Sequence, residues 1–251
     1  MQQTVIHALD FDGVICDSAV ETGITGWKAA AQLWQDMPAT LPPQELIDRF
    51  RLARPIIETG FEAILVMRLL FQGASLESIL YNFQEMKRHA LLQCNRDETF
   101  LKQLFGETRD GWIRDALAEW VAMNPLFPGV AEKLTDLDRQ GIWYIVTTKQ
   151  ERFVSQILEA NHIALPAQRI FGLERNMNKQ QVLLQLQKKH PSATLYFVED
   201  RLPTLEKFLA DDALRAIRLF FADWGYNTEQ DKRRAARLPL KVIGLDDFLN
   251  T

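Results

Sequence analysis

The fold is decided by residues 5–18, VIHALDFDGVICDS, where a short apolar run meets an acidic turn. The run from Val5 to Leu9 ends abruptly at Asp10-Phe11-Asp12-Gly13. A buried parallel strand has this pattern where it reaches a loop at its carboxyl end. We therefore predict a strand over 5–9, and we expect the chemistry of the protein to begin directly after it.

The stretch from residue 18 to residue 124 changes to helical periodicity. Five helices are predicted there, over residues 19–35, 43–52, 56–71, 76–93 and 97–123. The breaks fall at turn-forming residues, and Ser75 together with Asn95 or Asp97 would supply N-caps. Residues 18–124 are thus predicted to be an all-helical domain, inserted into a second domain made of residues 1–17 and 125–251.

Strands and helices alternate after residue 124. Strands are predicted over 142–146, 169–171, 194–198 and 216–221, and helices over 151–161, 179–190 and 203–210. Such alternation is typical of parallel βαβ units with helices on both faces of one sheet. The predicted class is α/β, with a Rossmann-like parallel sheet as the core and the helical domain as an insert.

Composition narrows the range of partners. The chain has 251 residues, 47% of them hydrophobic, and its 29 Lys and Arg against 33 Asp and Glu give a net charge of −4. Such a charge balance argues against nucleic acid and against an anionic membrane surface as partners. Cys16 and Cys94 lie far apart, which argues against a structural zinc site and favours a reducing compartment. With no signal peptide or membrane span predicted, a cytoplasmic location is expected.

The ends of the predicted strands carry groups suited to one reaction. These are Asp10 and Asp12, Thr147 and Thr148, Glu199 and Asp200, with Lys179 at the start of a following helix. Parallel sheets bind their ligands at the carboxyl edge, so these residues should converge. The carboxylates would repel one another unless a divalent cation neutralised them, and Mg²⁺ suits such oxygen ligands. Lysine and hydroxyl donors beside the metal would bind phosphate, and a nearby carboxylate permits covalent transfer to aspartate.

These motifs resemble those of the haloacid dehalogenase (HAD) superfamily. Residues 5–18 are similar to its first motif, DxDGx(V/L/I) after an apolar strand, and Thr147, Lys179 and Glu199-Asp200 follow in the family's order. The Trp224-Gly225-Tyr226 segment resembles members of the phosphoglycolate phosphatase-like branch, and the chain as a whole resembles that branch or the β-phosphoglucomutase-like branch. The resemblance covers the whole chain.

The resemblance implies a role for each catalytic residue. Asp10 would be the nucleophile that forms an aspartyl-phosphate, and Asp12 would be the general acid and base. Thr147 and the amide of Thr148 would bind the phosphoryl group. Lys179 would neutralise charge on the nucleophile and on the phosphate.

The resemblance also implies a metal site. Mg²⁺ would be held by Asp10, by the backbone carbonyl of Asp12 and by Asp200. Glu199 matches an acidic residue that joins or supports this site in the sugar-phosphate mutase branch. Many members have a further aspartate four residues after Asp200, where this chain has Thr204.

The helical insert resembles the cap that closes over the site in this superfamily. A lid of this size excludes water and selects its substrate, which favours a small phosphorylated metabolite. Arg49, Arg51 and Arg54 lie near Pro55, where a guanidinium could bind a substrate carboxylate or second phosphate. Of these, Arg54 is our candidate for substrate binding.

The leading hypothesis is a Mg²⁺-dependent phosphatase that acts on a small phosphate monoester. Dehalogenation is disfavoured, because haloacid dehalogenases lack an acid at the position of Asp12. A sugar-phosphate mutase remains an alternative on the strength of Glu199-Asp200, although the histidine of that branch is matched by Thr22. The other alternative is a catalytically silent HAD-like binding protein, which would have no use for a nucleophile and an acid two residues apart.

Overall fold

The computed structural model describes residues 4–250. The chain divides into two compact units. One, which we call the sheet unit, comprises Met1–Asp17 and Pro125–Thr251, and the other, the helical unit, comprises Ser18–Asn124.

The sheet unit is built on a parallel sheet. Within residues 4–250 it has six strands in the order β3-β2-β1-β4-β5-β6. These are β1 Val5–Leu9, β2 Trp143–Val146, β3 Ile170–Phe171, β4 Thr194–Glu199, β5 Arg218–Ala222 and β6 Lys241–Ile243. The predicted α/β class is confirmed. Strand β6 was not predicted from the sequence, because three residues are too few to show a strand's periodicity.

Helices follow the strands along the sheet unit. They are α6 Val130–Gln140, α7 Glu151–Ala160, α8 Lys179–Lys189, α9 Leu202–Leu209, α10 Glu229–Ala235 and α11 Leu245–Leu249. Apolar side chains from α8 and α9, among them Leu186 and Phe208, pack with Ile6 and Phe197 of the sheet in one buried cluster. Burial of such side chains stabilises each by about 1.5–3 kcal/mol, so the sheet is held rigidly beneath the loops at its end.

The order of the strands determines where the site can form. Strand β1 lies between β2 and β4, and its last residue, Leu9, is aligned with Ile145 of β2 and Val198 of β4. The chain builds outward from β1 to β2 and β3, then returns to the other side of β1 with β4. Ligands of open parallel sheets bind where the strand order reverses in this way. The residues directly after β1, β2 and β4 are therefore neighbours at that point.

The helical unit contains five α-helices, as the sequence predicts. They are α1 Ala19–Leu33, α2 Gln44–Ala53, α3 Glu62–Phe71, α4 Leu76–Cys94 and α5 Glu98–Ala122. Ser75 and Asp97 are the N-caps of α4 and α5, whereas Asn95 ends α4 in a left-handed conformation. Among residues 4–250, no helix combines the length and the apolar composition needed to cross a membrane.

The third predicted helix, over 56–71, is too long at its start. Arg54–Ile56 form a short 3-10 turn, and α3 begins only at Glu62. The carboxylate of Glu62 accepts hydrogen bonds from the backbone N–H of Glu58 at 2.7 Å and of Thr59 at 3.0 Å. These bonds satisfy backbone groups before the helix and favour a turn over a continuous helix.

A buried ion pair fastens α5 to α1 inside the helical unit. Arg109 donates from Nη2 to Glu21 Oε2 at 2.5 Å, and the Trp120 indole N–H donates to Glu21 Oε1 at 3.0 Å. Thr25 adds a third donor to the same carboxylate. A buried carboxylate is tolerated when it is paired and hydrogen-bonded in this way, and loss of one partner costs about 3–5 kcal/mol.

One histidine of the sheet is expected to make the stability of the fold sensitive to acid. His7 of β1 packs edge-on against Tyr196, with 5.5 Å between the ring centroids. Burial, and secondarily the nearby ammonium of Lys133 in α6, lowers the pKa of His7 from 6.5 to about 4. The unfolded chain therefore binds a proton that the folded chain does not, and His7 favours unfolding as the pH falls from 6.5 towards 4.

Replacement of His7 by Phe is expected to reduce this acid sensitivity. The histidine costs up to about 1.4 kcal/mol for each pH unit within that window, and Phe has no proton to bind. The midpoint of thermal unfolding should fall less between pH 7 and pH 5 for His7→Phe than for the wild type. The exposed His89, changed to Gln, is the control and should behave as the wild type does. Equal falls for His7→Phe and wild type would contradict this assignment.

Candidate active site

The predicted polar residues meet at the carboxyl edge of the sheet. Asp10 follows β1 and its backbone N–H donates to Val198 O of β4 at 2.9 Å. Thr147 follows β2, and its backbone N–H donates to Phe171 O of β3 at 2.9 Å. Glu199 is the last residue of β4, and Asp200 is the next. The parallel register thus fixes the start of each of these loops with backbone hydrogen bonds.

Asp10 is a buried carboxyl group held next to an ammonium. The residue is 6% exposed, and its Oδ1 lies 2.9 Å from Lys179 Nζ. Burial raises the pKa of Asp10 to about 7, an effect opposed by Lys179 and reinforced by the negative charges of Glu199 and Asp12. The charge of Asp10 is therefore set by its loss of solvation and by its charged neighbours, as is common for groups at functional sites.

Lys179 is positioned by the start of α8. Its neighbour Asn178 caps this helix reciprocally with Gln181, which fixes the first turn. Lys179 Nζ donates to Glu199 Oε2 at 2.7 Å in addition to its ion pair with Asp10. Burial by itself would lower the pKa of this lysine, but the two carboxylates raise it above its ordinary value. Lys179 is therefore an ammonium ion at neutral pH.

Three carboxylates form a cluster with the spacing of a metal site. One oxygen from each of Asp10, Glu199 and Asp200 lies within 4.8 Å of the other two, and all three residues are buried. Lys179 supplies one positive charge against the three negative charges of their ionised forms. The donor set consists of oxygen atoms, which Mg²⁺ prefers, and the residual negative charge favours a divalent cation. These residues fit a bound Mg²⁺.

The backbone around Asp200 is packed closely enough to fix its carboxylate. Asp200 Oδ2 accepts a hydrogen bond from the backbone N–H of Tyr226 at 2.5 Å. Gly13, whose φ is +89°, passes so near that a Cβ there would overlap the Asp200 carboxylate, and a Cβ at Gly225 would overlap the carbonyl of Gly13. Glycine is required at both positions, since a side chain would separate the first loop from Asp200.

Tyr226 also connects this cluster to the end of the first loop. Its hydroxyl donates to Asp17 Oδ1 at 2.9 Å, while Trp224 donates from its indole N–H to Val14 O at 3.2 Å. The segment after β5 therefore holds the loop that follows Asp10 and Asp12 at two points, Val14 and Asp17. The Trp224-Gly225-Tyr226 segment was part of the resemblance seen in the sequence, but no role at the site was predicted for Tyr226.

Asp12 lies near the cluster but has a different partner. Its side chain is 18% exposed, and Oδ1 accepts a hydrogen bond from Lys149 Nζ at 3.0 Å. The Lys149 side chain is 1% exposed. Sequence reasoning missed Lys149, although a lysine three residues after a fully apolar strand was a usable signal. Charged residues are rarely buried unless they are paired.

The two threonines and the arginine that the sequence singled out have different surroundings. Thr147 is 6% exposed, and its hydroxyl accepts from the backbone N–H of Lys149 at 3.2 Å. Thr148 is exposed on the same turn. Arg54 belongs to the helical unit, where it is 9% exposed and donates to Ile57 O at 3.1 Å. Part of its hydrogen-bonding capacity thus stabilises its own turn.

Comparison with solved structures identifies the fold. The chain aligns over 100% of its length with 98% of a predicted phosphatase from Clostridium acetobutylicum, at a TM-score of 0.59 and 16% identity. It also aligns over 98% of its length with 95% of a haloacid dehalogenase-like family hydrolase from Streptococcus pneumoniae, at a TM-score of 0.53 and 16% identity. The chain has the haloacid dehalogenase-like fold.

A third solved structure has the same fold. It is a predicted phosphoglycolate phosphatase from Haemophilus somnus, aligned over 100% of this chain and 97% of its own, at a TM-score of 0.56 and 16% identity. No protein-family model and no curated protein matches the sequence. The resemblance found in the motifs is therefore confirmed at the level of the fold, and the roles of single residues stay predictions.

Proposed function

We propose that this protein is a Mg²⁺-dependent phosphatase that hydrolyses the phosphate monoester of a small metabolite through an aspartyl-phosphate on Asp10. The observation that carries the proposal is the buried Asp10 carboxyl group, 2.9 Å from the ammonium of Lys179 and two residues from a second acid, Asp12. A binding protein gains nothing from burying these charges together, whereas nucleophilic catalysis requires an activated group beside a proton donor.

The first half of the reaction forms the covalent intermediate. A carboxylate oxygen of Asp10 attacks phosphorus, and the bond between phosphorus and the ester oxygen breaks. Asp12 in its protonated form gives its proton to that oxygen, which leaves as the alcohol. Lys179 offsets the negative charge gathered around Asp10, and the hydroxyl of Thr147 and the amide of Thr148 bind the phosphoryl oxygens.

The second half returns the enzyme to its starting state. Asp12, now a carboxylate, takes a proton from a water molecule whose oxygen attacks phosphorus. The bond between phosphorus and the Asp10 oxygen breaks, which releases inorganic phosphate and restores the Asp10 carboxylate. Asp12 is left protonated for the next cycle, so protons and bonds balance over the whole reaction.

Mg²⁺ would be held by Asp10, Glu199, Asp200 and the backbone carbonyl of Asp12. When bound, the ion supplies positive charge against the phosphoryl oxygens. Backbone donors that fix both side chains support this proposal, since Arg201 N–H donates to Glu199 Oε1 at 3.1 Å and Tyr226 N–H donates to Asp200 Oδ2.

Loss of the nucleophile should abolish phosphate release while the fold remains. Asp10→Asn keeps the shape of the side chain but is a far weaker nucleophile than a carboxylate, so we expect turnover to fall by at least about a thousandfold. Phosphate release from a panel of small phosphomonoesters, with and without Mg²⁺, measures this against the wild type. The circular dichroism spectrum of Asp10→Asn should be unchanged.

Two outcomes of that panel would redirect the proposal. Substantial release by Asp10→Asn would remove Asp10 from the role of nucleophile. Absence of release by the wild type from every compound, with conversion of a sugar phosphate when a bisphosphate is added, would establish the mutase alternative instead.

Mg²⁺ binding can be measured apart from turnover. A ligand at about 100 times its dissociation constant stabilises the folded state by about 2.7 kcal/mol, or about 5 °C or more in melting temperature for a chain of this size. MgCl₂ should raise the melting temperature of the wild type by this order, and Asp200→Asn should lose most of the rise. Asp138→Asn is the matched control, because Asp138 is half-exposed on α6 and pairs with Arg169. A full rise in Asp200→Asn would place the metal elsewhere.

We also propose that Arg54, which the sequence singles out, binds a second anionic group of the substrate. Arg54→Ala should lower kcat/KM for phosphoglycolate, which carries a carboxylate, about tenfold more than for p-nitrophenyl phosphate, since hydrogen bonds to charged groups contribute about 1.5–3 kcal/mol. Arg51→Ala, an exposed arginine of the same helix region, is the control. If the ratio of kcat/KM between the two substrates is unchanged, Arg54 does not bind the carboxylate and only stabilises its own turn through Ile57.

A further inference from the structure

A second buried lysine lies at the carboxyl edge of the sheet, and the proposed reaction gives it no role. Lys149 follows Thr148 on the turn after β2, and its side chain is 1% exposed. Its Nζ lies 3.0 Å from Asp12 Oδ1 and 5.9 Å from the centroid of the Phe11 ring. Its ammonium is therefore held between an aromatic ring and the acid of the first motif.

The backbone of Lys149 is fixed on both sides. Its N–H donates to Thr147 Oγ1 at 3.2 Å, and its carbonyl accepts from Leu173 N–H at 3.1 Å. The chain after β3 comes so close that a Cβ at Gly172 would lie 2.6 Å from the Lys149 carbonyl oxygen. Lys149 thus extends from a rigid turn, and its amine has a defined position.

Lys179 and Lys149 differ in how far their side chains are exposed, and this difference indicates different roles. The Lys179 side chain is 13% exposed, whereas that of Lys149 is 1% exposed. A substrate phosphate could reach the first amine but not the second without displacing protein atoms. Burial of an ammonium costs several kcal/mol unless it is paired, and the carboxylate that pairs with Lys149 is that of Asp12.

We propose that Lys149 is a positioning residue, which holds one carboxyl oxygen of Asp12 so that the group is oriented for proton transfer to the leaving oxygen. The inference rests on the proposed phosphatase function. A carboxyl group on a loop rotates among several rotamers, and the fixed amine selects one of them. Lys149 acts through Asp12 and makes no contact with the substrate.

The test uses the leaving group as its readout. kcat/KM covers the steps up to release of the alcohol, where Asp12 supplies a proton. An alkyl phosphate needs this proton, whereas p-nitrophenyl phosphate releases a stable phenolate without it. General acid catalysis contributes about 10²–10⁴-fold, so loss of its positioning in Lys149→Met should lower kcat/KM for the alkyl phosphate by about 10–100-fold. For p-nitrophenyl phosphate the decrease should be within about threefold, with KM unchanged.

A double-mutant cycle locates the effect at Asp12. In an Asp12→Asn background the further change Lys149→Met should have no additional effect on kcat/KM for the alkyl phosphate, because the group that it positions is already lost. Lys133→Met is the matched control. Lys133 is a buried lysine of α6 in the same unit, 5% exposed, and its replacement should leave the ratio between the two substrates unchanged.

Each result decides the proposal. Equal losses of kcat/KM for both substrates with a raised KM would show that Lys149 binds the phosphate. Equal losses of kcat/KM with an unchanged KM would show a general structural role. Either result would overturn the proposal that Lys149 positions Asp12. If Lys149→Met does not fold, Lys149→Gln, which keeps a hydrogen-bond donor, replaces it and should show a smaller loss of the same selectivity. An inactive wild type would instead overturn the proposed phosphatase function. That failure can be told apart from a failure of the positioning proposal, because it is observed in the wild type before any variant is measured.

Discussion

The ammonium of Lys179 allows two buried carboxylates to lie side by side at the end of the sheet. Its Nζ is 2.9 Å from Asp10 and 2.7 Å from Glu199, which reach this point from two neighbouring strands. Without this ammonium, burial and the charge of Glu199 would raise the pKa of Asp10 still further above its ordinary value. The rest of the site depends on this contact, since α8 must begin where its first residue can reach both strand ends.

Backbone geometry provides the second constraint. Gly13 and Gly225 let the first loop and the loop after β5 approach each other closely enough for Tyr226 N–H to bind Asp200. The same tyrosine holds Asp17 through its hydroxyl. The carboxylate cluster is thus fixed by backbone donors and by packing, which would preorganise it for the cation of the proposed reaction.

The sequence predicted the parts of the molecule that depend on local pattern. A short apolar run followed by acidic residues identified β1 and Asp10, because burial on both faces and a loop at the carboxyl end leave that signature. Strand β6 and the turn before α3 were not predicted. Strand β6 is held by its pairing with β5, and the turn is held by the side chain of Glu62. Lys149 was not predicted to contact Asp12, because the two residues are 137 positions apart along the chain.

The pairing of two lysines with two aspartates follows from the geometry that the proposed reaction needs. Asp10 and Asp12 are two residues apart, yet they bind ammonium groups from different elements, Lys179 of α8 and Lys149 of the turn after β2. A single shared ammonium would draw both carboxyl groups to one point. Hydrolysis needs one of them at phosphorus and the other at the leaving oxygen, so separate counter-charges keep the nucleophile and the proton donor apart while burying both beside the same substrate.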